Sequence, residues 1–188
     1  MWLLTALALA APATIGAAAP GFTLPNTDGT AVSLAQFQGK TVVLEWFNPD
    51  CPFVVAAHSG EGVLRALPGR TSSDQVAWLA INSGAASKQG ADKKRNVAAR
   101  KEYAMDYPVL LDADGAVGKA YGATNTPHIF IVDPKGTLVY AGAVDNAPMG
   151  KLETPPMVNY VEAALADIAA GRPVAQPTTK AVGCSVKY

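Results

Sequence analysis

Apolar residues in this chain fall into runs of two kinds. Thr41–Phe47 (TVVLEWF) and Val76–Asn82 (VAWLAIN) are nearly continuous and rich in β-branched and aromatic side chains. Such runs suit strands buried on both faces. Pro108–Leu111, Ile129–Val132 and Thr137–Tyr140 are shorter strand candidates, and Asp133-Pro134-Lys135-Gly136 is a turn that makes the last two antiparallel neighbours. Helical spacing is clearest in Met157–Ala170, where Val158, Val161, Leu165 and Ile168 share one face before Gly171-Arg172-Pro173 ends the pattern. Phe53–Leu67 reads as a second helix, weakened by Gly60 and Gly62 and stopped by Pro68-Gly69. Ala91–Met105 reads as a charged helix with Val97, Ala98, Tyr103 and Met105 inward, and a brief helix should end at Tyr121-Gly122. Near the start, Asn26-Thr27-Asp28-Gly29 separates two short apolar pieces as in a hairpin, and Ser33 can cap a helical turn through Phe37. Strands alternating with helices, then a hairpin and a last helix, predict an α/β protein with a central sheet flanked by helices.

The 188 residues, 49% of them apolar, suit one domain with its own core, and no internal repeat is visible. Formal net charge is zero, and the basic triplet Lys93-Lys94-Arg95 lies in a helical stretch as a solvated face, so nucleic acid has no support as a partner. Trp2–Ala13 is an apolar run of signal-peptide length, too short to span a bilayer, and Gly16-Ala17-Ala18-Ala19 follows as a cleavage site would. No Lys or Arg precedes the run; an ordinary apolar strand or helix is the other reading. The expected organisation is a signal peptide over 1–19, a domain over 20–173 and a C-terminal tail over 174–188. The mature protein is expected to be periplasmic or extracellular, with no stable membrane insertion. Disulfides form and persist there.

The candidate chemistry centres on Cys51, one of two cysteines. The buried strand runs into Asn48-Pro49-Asp50, a turn, and Pro52 suits the first residue of a helix. Cys51 therefore sits where unpaired backbone N–H groups favour negative charge, which should ease loss of the thiol proton. The other sulfur, Cys184, lies in a tail without periodicity, expected to be flexible. Three arrangements fit the spacing: a resolving thiol that reaches Cys51, a permanent staple to it, or a free or partner-linked thiol. Loop-closure entropy penalises the long loop only weakly.

Glu45-Trp46-Phe47-Asn48-Pro49-Asp50-Cys51-Pro52-Phe53-Val54 resembles the active-site segment of the thioredoxin superfamily, where a strand with an aromatic pair enters C-x-x-C at a helix start. Tyr121-Gly122-Ala123-Thr124-Asn125-Thr126-Pro127-His128-Ile129-Phe130 resembles that superfamily's second hallmark, a Y-G segment leading to a cis-proline before a buried strand. The opening PGFTLPNTDGTAVSLAQFQGKTVVLEWF and the extra strand and helix of Val76–Met105 are similar to the redoxin branch, which includes TlpA-like proteins and peroxiredoxins of the AhpC/TSA type. The resemblance implies a thioredoxin-like fold, a mixed central sheet with a redoxin-type insertion. It implies a cis Thr126–Pro127 bond whose preceding backbone groups face the thiol, where an extended substrate can pair. It also places Glu45 where thioredoxins carry a buried acid that moves protons during exchange; a Glu reaching solvent or Lys40 is the plainer reading. Two departures stand out. Val54 replaces the second cysteine of C-x-x-C, and the peroxiredoxin pattern P-x-x-x-[TS]-x-x-C meets Leu44 and Asn48 instead of Pro and Thr/Ser.

The expected function is thiol–disulfide exchange through Cys51, with Cys184, Thr126, Pro127 and Glu45 completing the site. Thiol-dependent peroxidase activity is compatible with the same residues. Substrates would be protein or small-molecule disulfides or peroxides, with a thiol reductant and no cofactor. The rival readings are a copper carrier using Cys51, His58 and His128, since thiolate and imidazole suit copper, and a non-catalytic binding module. His58 stands seven residues past Cys51, roughly 10 Å along a helix, as a packed or surface histidine. His128 is structural or approaches the thiol.

Overall fold

The computed structural model describes residues 12–152 and 155–188. A hairpin of β1 (Thr23–Pro25) and β2 (Ala31–Ser33) precedes β3 (Thr41–Trp46). Then follow α1 (Pro52–His58), α2 (Val63–Thr71), β4 (Val76–Asn82), α3 (Lys93–Glu102), β5 (Val109–Leu111) and α4 (Ala116–Tyr121). β6 (Asn125–Thr126), β7 (His128–Val132), β8 (Leu138–Gly142), α5 (Tyr160–Ala169) and β9 (Cys184–Ser185) complete the chain. Five strands form one sheet in the order β5-β4-β3-β7-β8. β3 lies parallel to β4 and antiparallel to β7, so the sheet is mixed.

All six residues of β3 are buried, which explains why its sequence is an unbroken apolar run rather than an alternation. Period-two geometry still sorts its side chains. Val43 and Phe47 join Cys51, Val54, Leu64, Tyr103 and Val161 in the core on one face, whereas Val42, Leu44 and Trp46 join Phe22, Leu79, Tyr121 and Phe130 on the other. Glu45 has the parity of Val43 and Phe47, and its carboxylate meets α1 on that face.

Several elements differ from the sequence pattern. The expected helix over Phe53–Leu67 is two helices, because the Ser59-Gly60-Glu61-Gly62 break turns the chain; a Cβ on Gly62 would collide with the Ala56 and Ala57 carbonyls. Pro68 does not stop α2, which runs to Thr71. Proline removes one N–H and crowds one carbonyl, and six residues into a nine-residue helix that cost is offset by burial of Leu64, Leu67 and Pro68 itself. In α3 the buried residues are Asn96 and Ala99, not Ala98, because the helix rests on a polar network rather than an apolar stripe. Arg95 is no part of a solvated face; it is half-buried and holds Asp50 and Pro49.

Segments towards both ends of the described residues pair with the sheet. Most of the expected signal core Trp2–Ala13 lies outside the described residues, but the expected cleavage stretch Gly16–Ala19 is paired beside β8: Gly16 N–H donates to Leu138 O and Leu138 N–H to Ala17 O. The tail is docked rather than flexible: Thr179 N–H donates to Ala141 O, Cys184 pairs with Thr126 and Ser185 with Asn125. Its lack of periodicity reflects a segment ordered by backbone pairing instead of by an apolar face.

Candidate functional site

Cys51 is the N-cap of α1, with Pro52 next to it inside the helix. Side chains from α3 and its approach hold the preceding turn. Asn48 Oδ1 accepts from Asp50 N–H at 2.9 Å, and Asn48 Nδ2 donates to Gln89 O at 3.1 Å. Arg95 donates through Nε to Asp50 Oδ1 at 2.6 Å and through Nη2 to Pro49 O at 3.0 Å, while Tyr103 donates its hydroxyl to Pro49 O at 2.9 Å. Residues of the Val76–Met105 segment therefore brace the loop that presents the thiol.

The tail brings the second sulfur onto the first. Cys51 Sγ and Cys184 Sγ are 2.6 Å apart, unbonded, and Cys51 Sγ–H also faces Thr126 O at 3.0 Å. The Thr126–Pro127 peptide is cis. Cys51 is 1% exposed, and Cys184, half-buried, is the outer of the two. Their proton affinities diverge. Burial opposes ionisation of Cys51, but hydrogen bonds from the Cys184 thiol, the Thr126 side chain and the Val54 and Cys184 backbone outweigh it and lower its pKa. Burial and then the neighbouring Cys51 push Cys184 up to about 11. The Thr126 carbonyl favours the protonated thiol. The Thr126 hydroxyl, buried with no hydrogen-bond partner among the described residues, is the part of that residue that can donate to a thiolate.

Glu45 does not reach solvent or Lys40. It is fully buried, accepting or sharing a proton with His58 Nε2 at 2.8 Å and accepting from the Tyr107 hydroxyl at 3.2 Å. His58 stacks on Tyr103 at 5.3 Å and meets the edge of Phe47, so the helix carries it inward as part of this trio. Burial, reinforced by Glu45, drives the Tyr107 pKa well up, which keeps its proton in place as donor. No local motif marks Tyr107 or Arg95 as part of the site, because each acts from a segment distant in sequence. His128 lies beside Pro127 and packs on Phe130 at 4.4 Å, with Nδ1 accepting weakly from Thr124 N–H at 3.4 Å. Among the described residues no three His, Cys, Asp or Glu side chains gather as a metal-holding group.

Burial holds His128 down at about 4, against 6.5 for an exposed imidazole. Between those pH values the unfolded chain binds a proton that the folded one refuses. Its share of stability is therefore complete above 6.5 and drains as pH falls towards 4, by roughly 3 kcal/mol in all. Urea midpoints measured from pH 7 to 4.5 should fall accordingly, and His128→Asn should flatten the slope; an unchanged slope would remove His128 as its source.

A cleft of about 380 Å³ is lined by Phe53, Pro127, Val144, Met149, Met157 and Val182 among others, and by neither cysteine. Asp145, in its wall, has its pKa raised by burial.

The redoxin family model matches residues 14–160. Thiol-disulfide oxidoreductase ResA of Bacillus subtilis (strain 168) is 26% identical over 134 residues, a match that covers 66% of this chain and 64% of ResA, so under two thirds of that relative's length is spanned. A Mycobacterium tuberculosis (strain CDC 1551 / Oshkosh) protein named "Putative peroxiredoxin MT2597" is 30% identical over 141 residues, covering 68% of this chain and 83% of its own. Among solved structures, hypothetical protein SMc02350 from Sinorhizobium meliloti 1021 is similar with a TM-score of 0.83 and 30% identity, over 95% of this chain and 96% of that one.

Proposed function

This chain belongs to the redoxin family, and from that premise we propose that it is a thiol–disulfide oxidoreductase in which Cys51 and Cys184 form one redox-active pair. The observation that carries the reading is the 2.6 Å separation of two sulfurs that lie 133 residues apart in sequence. The Cys51 thiolate attacks one sulfur of a substrate disulfide and expels the other half as a thiolate, which takes up a proton. Cys184 gives up its proton and attacks Cys51, forming the Cys51–Cys184 bond and releasing the second half of the substrate. Two electrons pass from the protein to the substrate. Two external thiols reverse the change. The first enters at Cys184, the more exposed sulfur, and displaces Cys51, the better leaving group because its thiolate is the more stable. The second attacks the resulting mixed disulfide, leaves with the first as a disulfide and frees Cys184. Glu45, paired with His58, is the buried carboxyl of this scheme, and Thr126 the thiolate's hydroxyl donor.

The name of the mycobacterial relative favours a second use of the same pair. A hydroperoxide would convert the Cys51 thiolate to a sulfenic acid and leave as an alcohol or water. Cys184 would then displace water to give the same disulfide. Metal carriage gains no support from the donor geometry, since His58 is committed to Glu45. Export to a periplasmic or extracellular space remains part of the reading, motivated by the apolar Trp2–Ala13 run.

Oxidation in a glutathione redox buffer, followed by non-reducing peptide mapping, tests the pair. An intrachain Cys51–Cys184 link that disappears on mild reduction is the expected product. A map holding only glutathione adducts or interchain links would end the proposal. Hydrogen peroxide in place of oxidised glutathione tests the peroxidase use: stoichiometric, rapid formation of the same link supports it, and no link on that timescale rejects it.

A further inference from the structure

Four residues beyond Cys184 stands Tyr188. The Tyr188 ring rests on α4 and the turn before it, where side chains are missing. A Cβ on Gly115 would stand 2.5 Å from Tyr188 Cδ1, and one on Gly118 would stand 2.6 Å from Tyr188 Oη and 2.8 Å from Cε1. Gly118 is inside a helix, where glycine costs roughly 1 kcal/mol against alanine; that bare surface accommodates the ring and Ser83 Oγ, which would also stand 2.6 Å from the Cβ. The Tyr188 hydroxyl donates to Ala123 O at 2.7 Å, and Lys119 Nζ lies 5.4 Å from the ring centroid. The seat itself is rigid. The Asp112 carboxylate accepts from Gly118 N–H at 2.8 Å and from the Ser83 hydroxyl at 2.6 Å, and Ser83 in turn accepts from Trp46 Nε1–H at 3.0 Å.

Between this seat and the cysteine the tail is tied at every step. Ala85 N–H donates to Lys187 O at 2.8 Å, Val186 N–H to Thr124 O at 3.0 Å, and Asn125 Nδ2 to Gly183 O at 2.9 Å. Gly183 lets the two backbones close up, since a Cβ there would strike the Thr126 carbonyl. In a paired strand a slip of one residue turns every side chain to the opposite face. A one-residue slip here would point Cys184 away from Cys51.

We propose that Tyr188 is a positioning residue for the thiol pair: its ring, seated over Gly115 and Gly118, sets the β6–β9 register and with it the local concentration of the Cys184 sulfur at Cys51. The proposal rests on the thiol-pair reading above. A sulfur on an unlatched tail would meet Cys51 at the millimolar concentrations typical of flexible linkers. Latched, it waits in contact. The disulfide keeps the tail close with or without the latch, whereas the dithiol form loses its tether when the ring is removed. The latch therefore favours the oxidised state, and by linkage oxidation tightens the latch.

The equilibrium to measure is protein dithiol plus oxidised glutathione against protein disulfide plus two reduced glutathione, on the full chain. Tyr188→Ala should lower the constant at least about tenfold, equivalent to a potential about 30 mV less negative for this two-electron couple. Tyr188→Phe, which keeps the ring, should recover most of the loss. Thermal unfolding of Tyr188→Ala in a Cys51→Ser/Cys184→Ser background checks that the fold persists. Should that variant not fold, Gly115→Ala, whose Cβ meets the Tyr188 ring and otherwise the far end of Lys119, takes its place with the same expected shift. A constant within twofold of wild type in the folded variant overturns the proposal, as does a Tyr188→Phe loss equal to that of alanine. A wild-type protein that forms no Cys51–Cys184 bond would instead refute the functional reading itself.

Discussion

Cys184→Ser protein should stall after one turnover, its Cys51 locked to half of the substrate. With a disulfide substrate and about 10 μM external thiol, steady-state turnover should fall at least roughly 100-fold. Even a loosely tethered thiol acts at millimolar effective concentration, a hundred times that of such an external thiol, and here the sulfur is docked at 2.6 Å. The stalled adduct should appear by mass as wild-type-sized protein carrying one substrate half on Cys51. Adding millimolar small thiol should restore part of the rate. Turnover at the wild-type rate without added thiol would show that another group performs the release, and no other cysteine exists in the chain to do so.

Reduced protein titrated by thiolate absorbance at 240 nm, with a Cys51→Ser/Cys184→Ser reference subtracted, should show two separated steps. The first, below the ordinary thiol range, comes from Cys51 with its hydrogen-bond donors; the second lies near 11 and belongs mainly to Cys184. At pH 8 about one Cys184 in a thousand would be ionised, so nearly all thiolate in the pair resides on Cys51. Because the two sulfurs interact, the steps describe the pair. Replacing Cys184 by Ala removes the leading hydrogen bond that lowers Cys51, and the first step should move up. Thr126→Val, which deletes the hydroxyl and keeps the carbonyl, should move it up as well. A single step carrying two thiolates would contradict the asymmetry on which the direction of attack depends.

The fold was largely visible in the sequence because it is written in local signals. The β3 and β4 runs, the Asp133–Gly136 turn and the α5 stripe each depend on residues within a few positions of one another, and each lies where its pattern puts it, except that α5 starts at Tyr160 rather than Met157, because Asn159 caps it and leaves Val158 outside. Cys51 was legible for the same reason: strand, turn, cysteine and proline are consecutive. The supports of the site were not. Arg95 reaches Asp50 across 45 positions, and Tyr107 reaches Glu45 across 62. In sequence Arg95 is one more cation in a charged helix and Tyr107 one more aromatic near a turn. The tail was the hardest to read. Its order comes from backbone pairing with β6 and β8, which any sequence of suitable size can supply, and its anchoring depends on the absence of side chains at Gly115, Gly118 and Gly183. Glycines inside or beside a helix usually mark a turn, so a ring seat was not the natural reading. Pro68 misled in the opposite sense, since burial of its own face outweighs its usual effect on a helix.

The way the tail and its neighbours lie along the sheet bears on how this molecule treats other copies of itself. An open sheet ordinarily leaves two rows of unpaired N–H and C=O groups, which are templates for another chain. Here β5 is met by the hairpin, through Thr27 N–H to Val109 O and the Asn26–Leu110 bridge. At the other margin β8 is met at one end by Ala17 and Ala18, a cover that cleavage of a signal peptide over 1–19 would remove, and at the other by Pro177–Thr179, which such cleavage would leave in place. These covers are irregular segments a few residues long, too short and too bent to propagate a ladder of their own. The same segment that carries the second sulfur thus also closes a seam. If catalysis lifts the tail only as far as Gly183, the Thr178 bridge can stay shut, and the chain can cycle between its redox states without offering a strand edge to its neighbours.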